Sequence, residues 1–290
     1  MELFPEDNSE ALGSQVSAVM NGTCELRHAP AGLVLQPAWR LALRRRDLLC
    51  SPHLLAVLAL AAHLLFSAPF LALDVLGARW AAARRYRISE VLSEAECLRR
   101  WFRCLGRVLL KYLTVILPAT ALLQRLRSPA LPAAAPSCAR ALLEVLSCLL
   151  VFDALFFAWH VLLHRVSWLF VWVHLQHHHN RETFALVAQD SSAVELLSLQ
   201  VLAVSSATLV GCHPLSEVLF HLLNIWLAVE DHSGYDLPWG VHRILPCFGG
   251  APFHLAHHQR YRGNYAPYFR HWDWLFRTYL TEEPRDTAGA

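Results

Sequence analysis

Long apolar stretches dominate the sequence, and charged or turn-forming residues separate them. Residues 52–76, 108–123 and 142–163 form three runs near the length of about 20 residues that a helix needs to cross a bilayer. Residues 194–230 are also apolar, but 211–214 interrupt them and leave two halves of only about 15 residues, short of a full crossing. The pattern predicts an all-α, polytopic membrane helical bundle whose last apolar part is a hairpin of two short or slanted helices.

Composition and charge agree with a membrane protein. Hydrophobic residues make up 55% of the 290 residues and charged residues 17%, below the quarter that is usual in soluble proteins. A formal net charge of +2 gives no basic stripe of the kind that binds nucleic acid. Arginines gather between the apolar runs, as juxtamembrane anchors do. In the basic segment 79–107, residues 97–104 mix cations and aromatics, which fits either an interfacial helix or a solvated loop.

The ends of the chain differ from its centre. Residues 1–37 are polar and are expected to be a poorly ordered, lumenal N-terminal segment, with a glycosylation sequon at Asn21. Residues 38–280 are expected to form one membrane-embedded domain, and 281–290 a C-terminal tail. Basic residues near 79–87 favour a cytosolic end for the first span. Three spans then bring residue 160 to the cytosol, although Arg44, Arg45 and Arg46 would face the lumen in this topology.

Histidines are concentrated in the second half of the chain. Fourteen of the seventeen follow residue 159, and eight of them form the boxes H-x-x-x-H at 160–164 and H-x-x-H-H at 174–178 and 254–258. Residues four apart share a helix face. In each triplet, the first two histidines are expected to share a face and the third to point about 100° away. Two triplets and one pair therefore predict a binuclear metal site.

The residue types narrow the choice of metal. A zinc hydrolase uses three protein ligands and an open position, far fewer than this set. The boxes contain no glutamate to act as a base, and they include no Glu-x-x-His pair of the kind that carboxylate-bridged di-iron bundles use. A histidine-rich di-iron centre that activates O₂ remains.

The three boxes, in this order, resemble the membrane fatty-acid hydroxylase and sterol desaturase superfamily. Three further segments, at 224–239, 210–215 and 266–273, are similar to the sterol hydroxylases within it, and 127–131 is a weaker match. The resemblance covers residues 38–280. It implies a cytosolic polyhistidine di-iron cap on a multi-pass protein of the endoplasmic reticulum membrane, which hydroxylates the cholesterol side chain at a tertiary carbon. It also implies O₂ and electrons from NADPH, delivered by an external reductase with or without cytochrome b5.

The resemblance also assigns roles to individual residues. The implied iron ligands are His160, His164, His174, His177, His178, His232, His254, His257 and His258. Related enzymes often carry another histidine four residues after the one matched by His232; here that position is Asp236, so a water or this carboxylate replaces a ligand. Asp236, His242 and His179 are therefore candidates for positions around the ligands.

Other functions share parts of this pattern. A hydroxylase or desaturase of another sterol or fatty acyl lipid would use the same ligands. A histidine-rich metal transporter is a different class, but transporters place polar ligands near the bilayer midplane, whereas the boxes lie at the ends of spans. A bis-histidine haem carrier is a third alternative, which a haem absorption spectrum would reveal.

Overall fold

The computed structural model describes residues 34–77, 80–127 and 130–280, and the secondary structure in these ranges is helical. Short π-helical turns lie at Tyr112–Ile116 and Phe170–His174, and a 3-10 helix at Ala185–Gln189. The α-helices are α1 (Gln36–Leu43), α2 (Arg46–Leu49), α3 (Leu54–Gly77), α4 (Ala81–Arg84), α5 (Glu94–Lys111), α6 (Leu117–Arg127), α7 (Cys138–Arg165), α8 (Ser167–Leu169), α9 (Leu175–His178), α10 (Ala193–Val210), α11 (Pro214–His232), α12 (Val241–Ile244), α13 (Gly250–Arg260) and α14 (His271–Leu275).

Four helices in the described residues are long and apolar enough to cross a membrane. They are α3, the continuous helix Glu94–Arg127, α7 and α10. The prediction of a polytopic all-α membrane protein is confirmed. The second span is longer than predicted, because α5, the π-turn and α6 form one helix of 34 residues. Its basic first half is therefore helical; the Ser93 hydroxyl caps it by accepting a hydrogen bond from the Glu96 amide.

The predicted hairpin is present, but its helices are longer than expected. α10 has 18 residues and α11 has 19, so the estimate of about 15 residues each was wrong. α10 is followed by Gly211, whose φ of 66° supplies the left-handed turn that favours glycine. His213 then caps α11, because its Nδ1 accepts a hydrogen bond from the Leu215 amide at 3.0 Å. Proline at 214 can begin the helix because no intrahelical donor is needed there.

A buried polar contact joins α3 and α5 to the segment that follows α11. The Asp74 carboxylate accepts hydrogen bonds from the Trp101 indole at 2.8 Å and from the Tyr235 hydroxyl at 2.9 Å, and it pairs with Arg87. The side chains of Asp74 and Arg87 are almost fully buried. α11 packs against α3, α7 and α13. These contacts fix the end of α11, where His232 lies.

Candidate metal centre

Nine buried or half-buried histidines meet at one end of the bundle in two adjacent groups. Within each group, one ring nitrogen from every member lies within 4.8 Å of the others. The two groups adjoin, since the ring centroids of His178 and His258 are 4.8 Å apart. The group of five consists of His160, His164, His174, His178 and His257. The group of four consists of His177, His232, His254 and His258.

The second and third boxes each contribute to both groups. His174 and His178 join the group of five, and the intervening His177 joins the group of four. The third box does the reverse, because His254 and His258 enter the group of four and His257 the group of five. The expectation that the first two histidines of each triplet would share a face was wrong. Positions four apart differ by only about 40° around a helix and positions three apart by about 60°, so the former align better.

The remaining members come from the ends of long helices. His160 and His164 lie one turn apart at the end of α7, and His232 is the last residue of α11. The π-turn Phe170–His174 follows a break after Arg165 and turns the chain back toward α7. Such turns change the rotational phase of a helix and are frequent at functional sites.

Contacts of the outer ring nitrogens set the protonation of several rings. The Nδ1 atoms of His160, His232 and His257 each lie 2.7 Å from a backbone carbonyl oxygen, of Tyr265, Ala228 and Gly263 respectively. A carbonyl can only accept, so these Nδ1 atoms carry the proton. In each neutral ring the Nε2 atom then presents a lone pair to the centre of its group.

The spacing of the Nε2 atoms fits metal coordination. Neighbouring Nε2 atoms are 3.0 to 3.2 Å apart in the group of five and 2.9 to 3.2 Å apart in the group of four. Nitrogens at right angles around an ion at about 2.1 Å would be about 3 Å apart. Facing lone pairs repel each other unless a cation lies between them, so this donor set fits two metal ions.

Burial keeps these rings neutral. It lowers the pKa of His257 to about 3, and neighbouring imidazole rings add to the effect. Burial likewise holds the pKa values of His254 and His258 well below the usual range for histidine. A neutral imidazole is the form that binds a metal ion, so the site is ready for metals at neutral pH.

The histidines are oriented by polar residues that no sequence motif marks. Glu195 Oε1 lies 2.9 Å from Nδ1 of His174, and the Ser191 hydroxyl lies 3.0 Å from Nδ1 of His177. Asp190 in turn pairs with Lys111 at 3.1 Å and with Arg107. These ion pairs fix the position of the backbone just before Ser191. Asp190 and Ser191 lie between apolar runs and Glu195 lies at the start of one, and none of the three belongs to a recognisable motif.

A buried aspartate also anchors the loop that contacts His160. Asp153 of α7 accepts hydrogen bonds from the amides of Tyr268 at 2.9 Å and Phe269 at 3.2 Å. The same loop is held at its start by Asp273, which accepts from the Tyr265 amide at 2.8 Å. The carbonyl of Tyr265 is therefore held where His160 can donate to it.

The candidates for outer positions are not members of the two groups. Asp236 accepts hydrogen bonds from His242, at 2.9 Å, and from Arg243, and it belongs to neither histidine group. That Asp236 or a water replaces a histidine ligand of the metal remains a prediction. His179 is exposed. Asn21, the glycosylation candidate, lies outside the described residues.

A mainly apolar cavity begins at both histidine groups and continues among the membrane helices. His160 and His174 of the group of five line it, as do His177, His232 and His254 of the group of four. Farther in, α3, the second span, α7, α10 and α11 form its walls. A lipid in this cavity would therefore contact both histidine groups.

Fold and site together define an integral membrane protein with a buried, two-part polyhistidine centre. Residues 145–278 match the sequence profile of the fatty acid hydroxylase family. A cholesterol 25-hydroxylase-like protein of Danio rerio is 42% identical over 246 residues, covering 84% of this chain and 97% of that protein. The cholesterol 25-hydroxylase of Homo sapiens is 42% identical over 252 residues (86% and 92% coverage), and that of Rattus norvegicus 43% identical over 249 (85% and 83%).

The chain belongs to the fatty acid hydroxylase family and is an enzyme of the hydroxylase type. The resemblance recognised in the histidine boxes is confirmed. No solved structure matches the chain.

Proposed function

We propose that the protein is a di-iron monooxygenase that hydroxylates the side chain of cholesterol at its tertiary carbon and forms 25-hydroxycholesterol. The observation that carries the proposal is the apolar cavity that opens onto both histidine groups. The names of the relatives that cover most of the chain support the choice of sterol. The nine histidines of the two groups are the proposed iron ligands.

The residues of the chain supply binding, orientation and the exclusion of water. Two bound irons supply the activation of O₂ that attack on an aliphatic C–H bond requires. The histidines hold the metals and act as neither acids nor bases. Cavity walls that include Phe152, Phe156 and Ile225 enclose an apolar substrate beside the site. Enclosure of this kind sets which carbon lies nearest to the metals.

Electrons are proposed to come from outside the chain. The sequence has no glycine fingerprint for a dinucleotide. The proposed donor is NADPH through a membrane reductase, directly or through cytochrome b5. We place the protein in the endoplasmic reticulum membrane with the histidine groups on the cytosolic side, in line with the basic residues at 79–87.

Expression in cells that make no oxysterols tests the proposal. Mass spectrometry of extracted sterols should detect 25-hydroxycholesterol for the natural sequence and none for His178→Ala, while the variant remains in the membrane. His178 is the informative position, because its Nε2 contacts those of His164, His174 and His257. The matched control is His179→Ala, which changes the adjacent, exposed histidine and should keep activity.

The same experiment separates the alternatives. A desaturated lipid, or a hydroxylated fatty acid in place of a sterol, would indicate another member of the family. Metal analysis of the purified protein should give two irons per chain; readily exchangeable zinc without any oxidised lipid would support a transporter instead.

A further inference from the structure

The cavity has a polar site far from the histidines. Most of its wall between α10 and α11 is apolar, with Leu199, Ala203, Val204 and Leu222. Gln200 of α10 and His221 of α11 are two of the polar side chains that interrupt this surface. Neither touches a histidine of the two groups. They therefore need an explanation separate from the metal centre.

The orientation of the Gln200 amide is fixed by Thr120. The Thr120 hydroxyl donates its proton to the Ile116 carbonyl at 2.7 Å, so it can only accept from Gln200. Gln200 Nε2 donates to it. The Oε1 atom must then face the other way, and it is buried without a hydrogen-bond partner in the described part of the chain. Gln200 thus presents an acceptor that lacks a donor.

His221 has a similar unsatisfied atom. Its Nε2 lies 3.7 Å from Oε1 of Glu217, which is too long for a hydrogen bond. That carboxylate already pairs with Arg127 of the second span. His221 Nε2 is buried and forms no hydrogen bond with the residues described.

Leaving such atoms without partners is costly. A buried polar atom without a hydrogen bond costs about 1 to 3 kcal/mol. In an apolar pocket, a few placed polar groups usually orient a ligand. A hydroxyl group is the simplest complement, because it donates one hydrogen bond and also accepts. A hydroxyl can satisfy either atom, as a donor to Gln200 Oε1 or as a partner of His221 Nε2.

The distance along α11 matches the length of a sterol. His221 precedes His232 by eleven residues, which is about 16 Å along the axis at 1.5 Å per residue. An extended sterol separates its ring hydroxyl from the tertiary carbon of its side chain by a similar length. A sterol whose hydroxyl lies at His221 therefore places that carbon near the level of His232.

We propose that Gln200 and His221 are positioning residues that hold the ring hydroxyl of the sterol and thereby set which side-chain carbon reaches the metals. This inference rests on the proposed function, since it takes a sterol as the substrate. Thr120 orients Gln200, and Glu217 lies beside His221. The position at which the ring hydroxyl is held then determines which side-chain carbon lies beside the metals.

Sterol binding by the purified full-length protein tests this site without turnover. The probes are cholesterol and 5-cholestene, which differ only in the ring hydroxyl. We expect the natural sequence to bind cholesterol about tenfold more tightly, as one or two neutral hydrogen bonds predict. Gln200→Met, which keeps the length of the side chain, and His221→Leu should each lose most of this preference and bind 5-cholestene as before.

Turnover in microsomes from cells that express the full chain supplies the second readout. The variants should raise the KM for cholesterol more than they change kcat, and they should hydroxylate several side-chain carbons instead of one. The matched control is Ser206→Ala, which removes a buried hydroxyl from the same helix that donates to the Leu202 carbonyl and does not line the cavity. It should retain both the preference and the single product.

The outcomes separate this inference from the proposed function. If both variants keep the preference for cholesterol and its single product, the hydroxyl site is wrong although the enzyme is a sterol hydroxylase. If the natural sequence prefers cholesterol over 5-cholestene but forms no hydroxylated sterol, the proposed function fails and the hydroxyl site stands. Because the two substitutions lie on different helices, a folding failure in one leaves the test to the other.

Discussion

Glu195 Oε1 lies 2.9 Å from Nδ1 of His174, and both side chains are almost fully buried. The contact directs Nε2 of His174 toward the group of five. A partner of this kind fixes the ring and raises its basicity, and its loss typically lowers metal affinity 10- to 100-fold. We therefore expect Glu195→Leu to bind metal less tightly by about this factor, measured by chelator competition on the purified protein.

Glu195→Gln is the matched control for that prediction. Its amide oxygen can still accept a hydrogen bond from His174, so the loss of affinity should be smaller. Equal affinity in the natural protein and Glu195→Leu would show that the contact does not support the metal centre.

Acid should destabilise the metal-free protein. The pKa of His257 is about 3 in the folded chain because of burial, and about 6.5 in an unfolded chain. Below pH 6.5 the unfolded chain binds more protons, so the free energy of unfolding falls as the pH drops from 6.5 toward 3. One such ring contributes up to about 1.4 kcal/mol per pH unit in this window.

Thermal unfolding in detergent checks this prediction. The midpoint of the chelator-treated protein should fall between pH 7.5 and pH 5.5, and His257→Gln, which cannot titrate at that position, should show a shallower fall. Identical slopes for the two proteins would contradict the assignment of acid sensitivity to this ring.

The contact between Asp74 and Tyr235 should stabilise the fold. Tyr235→Phe removes one hydroxyl that bonds to Asp74 at 2.9 Å and accepts from Arg87 at 3.0 Å. Bonds to charged groups contribute about 1.5 to 3 kcal/mol. Asp74→Ala should cost more, about 3 to 5 kcal/mol, because it leaves Arg87 buried without its carboxylate.

Unfolding midpoints of the two variants and of the double variant measure the coupling. A coupling energy near zero in this double-mutant cycle would mean that Tyr235 stabilises the protein independently of Asp74.

Asp153 should matter for the metal centre although it contacts no histidine of the two groups. Asp153→Ala leaves the amides of Tyr268 and Phe269 without their acceptor. We expect a loss of about 1 to 3 kcal/mol in stability and a lower metal content, since the loop also places the Tyr265 carbonyl beside His160. Asp153→Asn keeps one acceptor oxygen and should lie between the natural protein and Asp153→Ala. Unchanged metal content in Asp153→Ala would show that the loop does not depend on this carboxylate.

The sequence predicted the helical class and the meeting of the three boxes, because hydropathy and helix periodicity are local properties. It could not assign each histidine to its group. His177 and His178 are neighbours in the chain, yet their separation depends on the π-turn and on where α7, α11 and α13 lie. Helix lengths in the hairpin were underestimated, because α11 begins at Pro214, inside the predicted interruption, and continues through Asp231 and His232 beyond the apolar stretch.

The orienting residues were also beyond sequence reasoning. Glu195, Ser191 and Asp153 are single polar residues without a motif. Their roles follow from contacts between segments that are 14 to 115 residues apart in the chain. Such contacts require the packed structure.

The alternation of His177 and His178 between the two groups constrains how the chain can change. Adding or deleting one residue between His174 and His178 would rotate everything after it by about 100°. The imidazole ring of a histidine that belongs to one group would then face the other group or the lipid. The residues between the histidines of this turn can be substituted, but its length cannot change, and the same holds for the turn from His254 to His258.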